Sequence, residues 1–145
     1  MTKISMRPVI ALIAAVGVLA ACAPRTSPTP VSESFTAQLQ AVSDAVVGIS
    51  GYSKEAIEVT GNRVRLRIEI ADQTLATADQ AARETKAVAL VGAAERAMAA
   101  QPDLGGIQAV SVAILHGSGA GSWHVEDVID FRKGPSGSYS IHGTS

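Results

Sequence analysis

The chain has a single cysteine, Cys22, so no disulfide can form within it and its stability must come from packing. Aromatic residues make up only 3% of the sequence, too few for a platform that stacks bases or sugar rings. Neither sign of charge dominates, since the formal net charge is −1. That removes the electrostatic case for nucleic acid or for an anionic membrane surface. The apolar run from Val9 to Ala21 is about 13 residues, short of the roughly 20 that a membrane-crossing helix needs. No Gly-x-Ser-x-Gly nucleophile elbow is present. The glycine-rich stretch Gly117 to Ser122 lacks the Lys-Ser/Thr of a phosphate loop. No catalytic residue and no cofactor is expected, and the chain reads as non-enzymatic.

What is present begins with the amino terminus. Lys3 and Arg7 precede the apolar run, and small residues lead to the cysteine, the layout of a secretory leader. The stretch Leu19-Ala20-Ala21-Cys22 resembles the lipobox of bacterial lipoproteins. The resemblance implies cleavage after residue 21 and a diacylglycerol on the Cys22 thiol. It also implies a chain held at the cell envelope by its lipid, which supplies the several acyl chains that stable anchoring needs. Because Ala23 and not Asp follows the cysteine, the resemblance favours the outer membrane facing the periplasm in a Gram-negative cell. The division expected is a leader at 1–21, a lipidated cysteine with a flexible tether at 22–33, and one domain at 34–145. Pro24, Pro28 and Pro30 among Ser and Thr keep the tether extended.

The domain pattern is helix, hairpin, helix, hairpin. Phe35, Leu39, Val42, Val46 and Ile49 form one helical stripe, with Gln38 off it, Ser32 or Ser34 as cap and Gly48 with Gly51 at the end. Ile57 and Val59, then Val64, Leu66, Ile68 and Ile70, alternate with polar residues. A two-residue Gly61-Asn62 loop would pair Val59 with Val64, Ile57 with Leu66, Glu58 with Arg65 and Lys54 with Glu69. One long alanine-rich helix is expected from Asp72 or Thr74 to about Ala100, with Val88, Val91, Ala94 and Met98 as its stripe and an Asp79–Arg83 pair on its surface. Val110, Val112 and Ile114 mark an interior strand. Trp123, Val125, Ile129 and Phe131 mark the next, and Tyr139 to His142 either add a short edge strand or fray. The simplest assembly is α+β: a two-layer sandwich in αββαββ order, with a four-stranded antiparallel sheet and two helices on one face.

Chemistry-bearing residues gather at the last hairpin. His116 and His124 flank the glycine loop, with Glu126, Asp127 and Asp130 following and His142 farther on. Two histidines and a carboxylate are a zinc-type ligand set, so His116, His124 and Glu126 are the metal candidates, although their spacing matches no established metal motif. Asp127 breaks the apolar series and calls for a salt bridge. Arg63, Arg65 and Arg67 form a basic strand face, a solvated face balanced by Glu58 and Glu69 or an anion or partner site. The leading expectation is an envelope lipoprotein that binds another envelope protein as an accessory or assembly factor. The alternative is a small metal- or ligand-binding domain.

Overall fold

The computed structural model describes residues 33–118 and 121–145. The leader, Cys22, Ser32 and the tether up to residue 32 lie outside the described residues. Helix α1 spans Glu33–Ser50, so Glu33, at the expected end of the tether, already belongs to the domain. Its apolar stripe works as the spacing dictates for Phe35, Val42 and Val46, which are buried, while Leu39 packs against the core. Ile49 departs from the expectation and is 51% exposed. Polar bonds fix that last turn instead: the Ser50 hydroxyl accepts from Tyr52 N–H, and Lys86 Nζ donates to the Ser50 carbonyl at 2.7 Å. Gly51 follows with φ +76°, the left-handed residue that ends a helix without a Cβ clash. Gln38 is not off the packed face but buried, and its amide donates to Asp103 Oδ2 at 2.7 Å while accepting from Asp103 N–H at 3.0 Å. The Ser34 hydroxyl also reaches Asp103.

A 3₁₀ turn, Lys54–Ala56, leads into β1 (Ile57–Gly61), and β2 follows at Arg65–Ala71. The hairpin forms with a different register: Ile57 pairs with Ile70, Glu58 with Glu69, Val59 with Ile68 and Thr60 with Arg67. The turn explains the shift. Asn62 N–H donates to the Arg65 carbonyl, and Asn62 Oδ1 accepts from Val64 N–H and Arg65 N–H at 2.9 Å. An Asx side chain therefore closes a wider loop than Gly61-Asn62 would. The partner of each β1 residue moves four places along β2, an even step, so every side chain keeps its face. Lys54 pairs with Asp44 of α1 and not with Glu69.

The expected long helix is two. Helix α2 (Gln73–Ala76) is capped by Asp72, whose carboxylate accepts from Thr74 and Leu75 N–H. Helix α3 (Gln80–Ala99) is capped by Asp79, which accepts from Ala82 N–H. Asp79 is thus a cap and not the partner of Arg83. Ala87, Leu90, Val91, Ala93, Ala94 and Met98 are buried, whereas Val88 points outward at 51% exposure.

A 3₁₀ turn, Pro102–Leu104, precedes β3 (Ala109–Ser118), then β4 (Ser122–Lys133) and β5 (Tyr139–Thr144). The sheet is five-stranded in the order β1-β2-β3-β4-β5, correcting the four expected. It is also mixed, because β2 and β3 run parallel while the other pairs are antiparallel. The chain returns from the end of β2 to the start of β3 through α2 and α3, the long crossover that a parallel pair requires. The class is α+β. Leu66, Ile68, Ile70, Val110, Val112, Ile114, Ile129 and Phe131 join the buried side chains of α1 and α3 in one core. The opposite face of the sheet carries the other half of each strand's side chains.

Candidate binding face

Among the described residues no helix covers the other face of the sheet, and that face is organised by register. One row across it runs Arg65, Ala109, Arg132. The next runs Thr60, Arg67, Ser111, Asp130, and the third Glu58, Glu69, Ala113, Val128. Charge is therefore segregated along the strands, with cations in the first row and carboxylates in the third. Arg67 Nε donates to Glu69 Oε1 at 2.6 Å within β2, and the Ser111 hydroxyl donates to Asp130 Oδ1 at 2.6 Å. Of the basic strand residues, Arg63 sits exposed in the β1–β2 turn, while Arg65 and Arg67 lie on this face.

A β-bulge decides what lies at the far end. The pairing steps from Ile114–Asp127 to Leu115–Val125, and Glu126 is the extra residue with no partner on β3. One inserted residue reverses the alternation. Asp127, Ile129 and Phe131 face the helices, whereas Val125 and Trp123 turn to the open face at 51% and 50% exposure. The sequence series that placed all four apolar residues of β4 together is corrected here. The Trp123 ring covers Gly117, where a Cβ would meet it at 3.3 Å. With Leu115, Ala56, Ala71 and the carboxylates Glu55, Glu58 and Glu69, Trp123 lines an open groove of about 200 Å³.

Asp127 shows how the bulge is accommodated. Only 7% exposed, it meets Arg83 of α3, with Nη1 3.4 Å from Oδ2. The salt bridge that the sequence demanded is present, supplied by a residue the sequence had assigned elsewhere.

His116 and His124 do stand opposite each other across the hairpin. The Gln73 amide nitrogen approaches the His116 ring at 3.3 Å, and Gln73 Oε1 accepts from Gly117 N–H at 3.1 Å. The His124 ring lies 3.5 Å from the Ser122 hydroxyl. Glu126 is the unpaired residue of the bulge. Among the described residues no three His, Cys, Asp or Glu side chains come together as metal ligands. His142 belongs to a different place, a shallow cleft shared with Arg65, Ser111, Asp130 and Arg132.

A polar cluster that the sequence did not flag joins three elements behind the sheet. The Tyr52 hydroxyl donates to Asp72 Oδ2, and Lys86 Nζ lies 4.5 Å from the Tyr52 ring centre. Burial pushes the Tyr52 phenol well above its ordinary value, and the Asp72 carboxylate adds to this. For Asp72, burial acts upward, but the Tyr52 hydroxyl, the Leu75 and Thr74 N–H groups and Lys86 outweigh it and hold the carboxyl below its ordinary 3.8. All of these bonds end within the cluster, which reads as a clasp between α1, α2 and α3.

Among the described residues no helix is long and apolar enough to cross a membrane. No family model matches the chain, and no curated protein or solved structure matches it.

Proposed function

We propose that this chain is a lipid-anchored envelope lipoprotein, without enzymatic activity, whose domain binds another envelope protein through the open sheet face. Leu19-Ala20-Ala21-Cys22 after a basic start and an apolar run carries the location. The observation that carries the binding role is the face itself. A five-stranded sheet is covered on one side by helices, and the other side presents ordered rows of charge beside a half-exposed tryptophan. A tryptophan in a shallow groove rimmed by charge is the composition of a protein-contact anchor. By the lipoprotein resemblance, the surface where this face works in a Gram-negative cell is the outer membrane facing the periplasm.

The test is photo-crosslinking in intact envelopes. A crosslinker at Arg67, Thr60 or Val128 on the open face should capture one defined protein band. The same group at Val88, exposed on α3, should not. Equal capture from both positions, or none from the open face, contradicts the reading.

A further inference from the structure

We propose that the open face holds a site for one oxyanion group, a phosphate or a carboxylate, between Arg65 and Arg132 above Ala109. This rests on reading that face as the working surface, and not on attachment of lipid.

Among the described residues three arginines lie on the face, and of these only Arg67 has a carboxylate partner, Glu69. Arg65 and Arg132 are both exposed, and among the described residues neither makes an ion pair. They flank Ala109 in a single row, with Cα atoms about two strand spacings, or roughly 10 Å, apart. A guanidinium stem can cover half that distance from each side, and the alanine methyl leaves the space between them open. The cleft at this point is about 60 Å³ and is also lined by Ser111, Phe131 and His142. That suits a single tetrahedral or planar anion.

Among the described residues Asp130 is the one carboxylate in the cleft, and its near partner is the Ser111 hydroxyl and not a guanidinium. Two like charges on one row repel each other, and an anion between them relieves that repulsion while accepting forked N–H donors from both. The same carboxylate gives the assignment a sign test, because removing its charge must strengthen anion binding.

The protein isolated from its native envelope, in zwitterionic nanodiscs, is titrated with inorganic phosphate and, separately, glutarate, followed by calorimetry. Saturable millimolar binding is expected, weakened about tenfold by Arg65→Gln and by Arg132→Gln, the loss of one charge-assisted contact. Asp130→Asn should tighten it. Arg96→Gln, on the exposed end of α3, should leave it unchanged. Nanodiscs carrying phosphatidylglycerol separate the sources. Competition between lipid and phosphate identifies a headgroup as a ligand, and its absence identifies a soluble or peptide-borne anion. No saturation, or equal weakening by Arg96→Gln, overturns the site. If crosslinking from the open face persists while no anion binds, the oxyanion site alone falls. If both are lost, the working face falls with it.

Discussion

Arg83 Nη1 of α3 lies 3.4 Å from Asp127 Oδ2 of β4, both side chains largely withdrawn from water. The pair sits where the bulge returns β4 to the helix-facing side, so it joins the crossover helix to the strand that carries Trp123. Among the described residues Arg83 Nε is buried without a hydrogen-bond partner, which leaves the guanidinium dependent on this carboxylate. Asp127→Ala should therefore destabilise the fold by about 2–4 kcal/mol, the cost of stranding a mostly buried charge. Replacing both at once, Arg83→Met with Asp127→Leu, should recover most of that loss. Urea unfolding midpoints of the three variants check both statements.

The Tyr52–Asp72 clasp sets an acid limit on stability. The Asp72 carboxyl is held below 3.8 in the folded chain, so the unfolded chain takes up the proton first as pH falls. Its contribution is present above the unfolded value and is lost as pH drops through the folded one. Tyr52 acts at the other end: its phenol is raised above 10.0, so its contribution is present below that value and is lost as pH climbs past the folded one. Asp72→Asn should flatten the stability curve below about pH 4, and Tyr52→Phe should flatten it above about pH 10. Thermal unfolding across pH reads both limbs, and unchanged curves would contradict the clasp.

Trp123 is the single tryptophan of the chain, and it faces solvent beside Glu55, Glu58 and Glu69. Its fluorescence should be readily quenched, and more strongly by caesium than by iodide, because the carboxylates attract the cation. Salt should narrow that difference. Glu58→Gln with Glu69→Gln should remove most of it. Resistance to both quenchers would mean that the bulge does not turn Trp123 outward.

Much of this architecture was legible in the residues, and the failures have physical causes. The stripe Phe35, Val42 and Val46 and the alternation Leu66, Ile68 and Ile70 found the core because apolar period is a direct consequence of one-sided burial. The hairpin register failed because it followed from a two-residue Gly61-Asn62 loop, whereas the Asn62 side chain closes a wider turn. High alanine content hid the break before α3, although Asp79 is a ready cap. The parallel β2–β3 pair left no mark in the alternation, which reads the same for either strand direction, and only the long crossover signals it. At the candidate face, Arg65 and Arg67 were visible as alternating residues. Arg132, Ser111 and His142 were not placed beside them, because only register joins separate strands. The bulge was signalled by Asp127 alone, a charge at an apolar position whose meaning became plain only with Arg83 beside it.

The most direct test of the account is the intact mass of the protein isolated from its native envelope. The account predicts a chain that begins at Cys22, lacks residues 1–21 and carries a diacylglyceryl group on that residue. A chain that still begins at Met1 with an unmodified Cys22 thiol would contradict it.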